Sequence, residues 1–128
     1  MKVSFIVERT STGFSAYAAD FSNLPVATTG GTMTELKENI LDAVNLYLDY
    51  TGKEPVTAED ISASLDLPQF FEYYKVINAK VLSSRIGINN TLLSQYVNGV
   101  KKPSEKQVKK ILDGVKELGK ELAGLELS

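Results

Sequence analysis

Four side chains, Thr91, Ser94, Gln95 and Asn98, carry the chemistry that this sequence suggests first. They stand at i, i+3, i+4 and i+7, so on a helix they form one polar stripe opposite Leu93 and Tyr96. Short polar side chains of this kind suit base edges in a DNA major groove. Glutamine can bond adenine at two atoms, and the threonine methyl can touch thymine. Asn89 and Asn90 fall at the start of the helix, where the dipole and the free N–H groups favour a phosphate. Lys101 and Lys102 follow the helix and supply a grip on the DNA backbone. Arg85 precedes it, and the stripe itself holds no Arg or Lys, so bidentate arginine–guanine pairing is not expected. The competing reading of the stripe is a solvated helix face.

The stretch from Asn78 to Gly99, NAKVLSSRIGINNTLLSQYVNG, has to position those groups. It divides at Gly87 into two short apolar-periodic runs, with Leu82 and Ile86 in the first and Leu93 and Tyr96 in the second. Two short helices around a glycine turn are the local pattern of a helix-turn-helix. Asn78 and Asn89 occupy the two N-cap positions, and small Ser83 lies where a bulky residue would push the helices apart.

At these residues the chain resembles the Cro and phage-repressor type of helix-turn-helix. That family continues into a turn close to W/Y-x-N-G-x-x-x-P-S, matched here by Tyr96-Val97-Asn98-Gly99-Val100-Lys101-Lys102-Pro103-Ser104. The resemblance covers about Leu67 to Leu118 and implies that residues 90–98 form the recognition helix. Many members open the preceding helix with a phosphate-binding Gln; this chain has Ala79, so that contact should be missing.

Composition narrows the remaining classes. The chain has 128 residues, 43% of them apolar, enough for one domain or two small ones. It contains no cysteine, hence no disulfide and no thiolate nucleophile, and no histidine, the commonest general base and metal ligand. No cofactor or metal is expected. The opening MKVSFIVERT is too polar for a signal peptide, and no run approaches the ~18 apolar residues of a membrane span. A soluble cytoplasmic protein is expected. The net charge of −2 is unevenly spread: residues 1–66 carry −6 and residues 67–128 carry +4. Between Lys75 and Lys110 eight basic residues face one acidic residue, Glu105, a local excess suited to phosphate.

Residues 2–9 alternate as a half-buried strand, and 14–21 read as its hairpin partner. Residues 26–29 make a third strand. Thr32 and Glu35 form a capping box for a helix that buries Leu36, Ile40, Ala43, Val44, Tyr47 and Leu48 and stops at Gly52. Residues 61–67 alternate again. The expected fold is α+β: a β-β-β-α-β domain over 1–67, then an all-α helix-turn-helix domain over 68–128.

The first half resembles the HicB antitoxins, which run from a strand hairpin through an L-P turn to G-x-T-x-x-E-A-x-x-N-x-x-E-A-L. Gly31, Thr32, Glu35, Leu36, Asn39, Ala43, Val44 and Tyr47 follow that rhythm, and Leu24-Pro25 supplies the turn; Val26-Ala27 replace a common Gly-Cys. The resemblance implies a partial ribonuclease H-like fold and an antitoxin. Such a protein inhibits a small basic HicA-like, mRNA-cleaving toxin and represses its own operon by binding operator DNA as a homodimer or larger homo-oligomer. Those toxins use a catalytic histidine, which this chain lacks, so it cannot be the toxin.

Leu67-Pro68-Gln69-Phe70-Phe71 reads as helix one of the DNA-binding half, its aromatics packing a core or a dimer rather than stacking bases. Ser104 to Gln107 caps a last helix with Val108, Ile111, Val115, Leu118, Leu122 and Leu125 at spacings of three and four. Gly114, Gly119 and Gly124 in that stretch hint at close packing. Two other function classes compete with the antitoxin. A ligand-sensing regulator would need a pocket of ~300 Å³ or more, for which residues 1–66 leave little room. A nuclease would need clustered carboxylates, and Glu8, Asp20, Glu35 and Asp42 show no motif spacing.

Overall fold

Val3, Phe5 and Val7 alternate with polar neighbours, and in the computed structural model, which describes residues 1–127, they point into one core. Their strand, β1 (Val3–Thr10), pairs antiparallel with β2 (Gly13–Ala18), which pairs with β3 (Ala27–Gly30). Helix α1 (Met33–Tyr50) then crosses one face, and a 3-10 turn (Ala58–Asp60) leads into β4 (Ile61–Leu65). β4 lies parallel to β1, Val3 opposite Ile61 and Val7 opposite Leu65, which gives the order β3-β2-β1-β4. A parallel neighbour needs a crossover connection, and α1 provides it.

Leu36, Ile40, Val44 and Leu48, at spacings of four, bury the inner stripe of α1 against the strands. Thr32 caps the helix, its Oγ1 accepting from Glu35 N–H at 3.1 Å. Close approach at its first turn depends on Gly30, where a Cβ would fall 2.5 Å from Leu36 N. The segment after α1 is tied back by Asn45, whose side chain bonds both Val56 N–H (2.8 Å) and Val56 O (3.0 Å).

The chain divides into two compact units, residues 1–73 and 74–128. This corrects the expected β-β-β-α-β domain followed by an all-α helix-turn-helix domain. The sheet is four-stranded and mixed, a 3-10 turn precedes its last strand, and a further helix, α2 (Leu67–Tyr73), closes the first unit. The partial ribonuclease H-like order falls with it. The physical reason lies in α2, which was expected to open the second half. Gln69 reaches β1 where β4 has ended: its Oε1 accepts from Arg9 N–H at 2.8 Å and its Nε2 donates to Arg9 O at 2.7 Å. One side chain thus replaces a missing strand partner, while Leu67, Phe70 and Phe71 are buried.

The second unit holds α3 (Ala79–Ile86), α4 (Asn90–Val97) and α5 (Glu105–Ala123). Of the periodic residues on α5, Ile111 is buried, Val108, Val115 and Leu118 are half-buried, and Leu122 is exposed. Gly114 is where α5 meets α3, since a Cβ there would clash with Ile86 Cγ2; Gly119 faces open space and Gly124 ends the helix. Among the described residues no helix is long and apolar enough to cross a membrane.

Candidate nucleic-acid interface

Both helix starts of the α3–α4 pair are fixed by asparagine. Asn78 Oδ1 accepts from Val81 N–H at 3.2 Å, and Asn89 Oδ1 accepts from Thr91 N–H (2.9 Å) and Leu92 N–H (3.2 Å). Gly87 ends α3 with φ +72°, a left-handed conformation that favours glycine, and Ile88 N–H returns to Ser83 O at 3.0 Å. Ser83 is buried and its Oγ donates to Lys80 O at 2.6 Å, so its hydroxyl is satisfied where the helices approach. Leu82, Ile88, Leu93 and Tyr96 fill the interior.

This packing leaves one face of α4 outward. Thr91, Ser94 and Asn98 are exposed on it and Gln95 is half-buried. Asn98 Nδ2 donates to Ser94 Oγ at 3.2 Å, which orders both side chains. Gln95 anchors the following turn through its main chain, its carbonyl accepting from Val100 N–H (2.9 Å) and Lys101 N–H (3.2 Å). Lys101 and Lys102 stand exposed in that turn. Asn90 occupies the first position of α4, exposed beside its N-terminus.

One of the expected contacts is engaged elsewhere. The Arg85 guanidinium forms an ion pair with Glu121 of α5, so it is engaged within the unit. The Asn89 side chain caps α4, as its N-cap position predicts. Two lysines extend the basic surface beyond the expected set. Lys110 Nζ lies 3.4 Å from Gly87 O at the turn, and Lys106 is exposed with no ion pair among the described residues. Their signal in the sequence is the run of like charge over 101–110. Lys109, by contrast, pairs with Asp113 at 2.9 Å; its hydrogen bond lowers the carboxyl pKa. Charges this exposed interact through solvent and are screened by salt.

The carboxylates weighed for metal chemistry stay apart: among the described residues no group of three or more metal-binding side chains comes together. The first unit does contain a cleft of about 390 Å³, bordered by Lys2, Asp20, Asn23, Tyr47 and Lys53 over an apolar floor of Val3 and Leu48. The expectation that this half lacked room for a pocket is therefore corrected. The strand ends and the last turn of α1 leave a concavity that a core count could not reveal. Asp20 is held ionised there, its pKa lowered first by the Asn23 side-chain hydrogen bond and then by Ser22.

Comparison with known proteins adds no family: no family model, no curated protein and no solved structure matches the chain.

Proposed function

We propose that this chain is a DNA-binding antitoxin that represses its own operon, with α4 as the reading helix. The observation that carries this reading is the exposed row Thr91, Ser94 and Asn98 with Gln95, held on a capped helix and followed by Lys101, Lys102 and Lys106. Base readers flanked by phosphate-binding cations are what specific recognition requires. Residues 74–128 carry ten basic and five acidic side chains, a surface suited to DNA.

The antitoxin part is supported by the resemblance to HicB and by charge. Residues 1–73 carry four basic and eleven acidic side chains, which would steer a small basic toxin. Leu46 and Tyr50, 73% and 87% exposed, stand on α1 beside Asp42 and Asp49 and would supply the apolar contact. The test has two arms. The full chain is used to select duplexes from a random pool; enrichment of a palindrome supports the DNA reading, and retention of all sequences alike defeats it. The neighbouring reading frames are then searched for a small basic protein and the chain is added to RNA cleavage by it; the absence of such a protein, or failure to inhibit it, defeats the antitoxin reading alone.

The cleft near Lys53 favours a second reading, a ligand-sensing regulator. A small amphipathic solute that shifts DNA affinity would distinguish it from the first.

A further inference from the structure

The sheet of the first unit has two outer strands, and the chain treats them differently. On β3, Asn39 of α1 covers the edge by donating to Thr29 O at 2.8 Å. On β1, beyond the end of β4, Gln69 covers Arg9. β4 has no such cover among the described residues. Asp66 N–H donates to Val7 O at 2.9 Å. Bonding direction alternates along a strand, so Ser62 and Ser64 turn their main-chain groups toward β1, and Ile61, Ala63 and Leu65 turn theirs outward. Ile61 N–H is taken by Ala58 O in the 3-10 turn. Ala63 N–H and C=O, Leu65 N–H and Ile61 C=O have no hydrogen-bond partner among the described residues.

The side chains of β4 leave the edge equally open. Ser62, Ala63 and Ser64 are exposed, Ile61 and Leu65 are half-buried, and the strand has no charge and no proline to repel a neighbour. Its sequence, Ile-Ser-Ala-Ser-Leu, is symmetric in chemistry about Ala63. Antiparallel pairing with itself would place Ile61 opposite Leu65 and Ser62 opposite Ser64, like against like. An isologous contact needs this kind of self-complementarity.

We propose that β4 pairs with β4 of a second copy, antiparallel about a two-fold axis through Ala63, joining two four-stranded sheets into one. Ala63 N–H of each copy donates to Ala63 O of the other, and Leu65 N–H of each donates to Ile61 O of the other. Ile61 and Leu65 lie on the α1 side of the sheet, in register with Val3 and Val7, so pairing covers their remaining apolar surface. Asp60 and Asp66 come opposite each other at the margins, and each already has a partner, Lys2 at 3.7 Å and Gln69 N–H at 3.1 Å. Two five-residue strands cover less than the ~1,200 Å² of a standard interface, so the association depends on concentration and is not obligate. It is independent of the DNA reading, since every group it uses lies in the first unit.

The test is sedimentation equilibrium of the full chain from micromolar to millimolar concentration, with circular dichroism as a check on folding. Ala63→Lys and Ala63→Glu each place like charges across the axis, ~5.5 Å apart at the Cα atoms, and each alone should weaken association by about tenfold or more. Mixed one to one, the two variants should associate again with the opposite charges paired. Ala63→Pro removes an outward N–H that β1 does not use, so it should keep the fold and abolish pairing. Wild-type protein that does not associate, folded single variants that associate like wild type, or a mixture that stays apart would each overturn the proposal.

Discussion

Replacing Gln69 is the sharpest test of why α2 belongs to the sheet. Its side chain makes both hydrogen bonds that a longer β4 would have made to Arg9, at 2.8 and 2.7 Å, in a half-buried position. Each such bond is worth about 0.5–1.5 kcal/mol net, so Gln69→Ala should cost about 1–3 kcal/mol of the first unit's stability. Gln69→Glu separates the two bonds. A carboxylate still accepts from Arg9 N–H but sets an oxygen against the Arg9 carbonyl, so at neutral pH it should be at least as damaging as alanine. Protonation restores a donor, so the Gln69→Glu penalty should shrink as pH falls through the carboxyl pKa, near ~4.3 when unperturbed. Chemical denaturation of the full chain, followed by a probe in the sheet at neutral and at acid pH, measures both effects. A Gln69→Ala loss below about 0.5 kcal/mol, or a glutamate penalty flat with pH, would refute the account of the strand end.

Gly114→Ala gains about 1 kcal/mol of helix propensity but drives a methyl into Ile86 Cγ2; overpacking of that kind costs about 1–3 kcal/mol. The variant should melt no higher than wild type, and adding Ile86→Ala should relieve part of the loss in a double-mutant cycle. Asp60 is held below the usual carboxylate value first by the Thr57 backbone N–H, with Lys2 helping. Its folded pKa is depressed, so its stabilisation is present above the unfolded value near 3.8 and disappears as pH falls through the lower folded value. Asp60→Asn should therefore flatten that part of the acid-unfolding curve. Asn89→Ala removes the cap on α4 and should cost about 1 kcal/mol of the second unit's stability, read by thermal melting, whereas Asn89→Ser should keep most of it.

The elements with local signals could be read from the chain. Thr32, Asn78, Asn89 and Ser104 cap the helices that their sequences announce, and Gly87 takes the left-handed turn. The mixed sheet could not be read in this way, because β4 finds β1 across more than fifty residues and nothing in Ile61–Leu65 specifies a parallel neighbour. The place of α2 is hidden for a related reason. Phe70 and Phe71 mark a buried helix face but not which core receives it, and Gln69 looks like any polar residue until it meets Arg9. On α4, helical spacing puts Thr91, Ser94 and Asn98 on one exposed row. It could not show that Glu121 of α5 would take Arg85, because that pair spans two helices.

The central claim is that α4 reads bases while the lysines after it hold phosphates. It is tested most directly by comparing Gln95→Ala with Lys101→Ala/Lys102→Ala for binding to a selected operator and to random DNA over a range of salt. Gln95→Ala should lose about 1–3 kcal/mol at one base pair and leave random-DNA affinity and the salt slope unchanged. The lysine pair should weaken both DNAs alike and reduce the log–log salt slope by about 0.9 for each lost contact. Equal losses on operator and random DNA for Gln95→Ala, or an unchanged slope for the lysine pair, would contradict it.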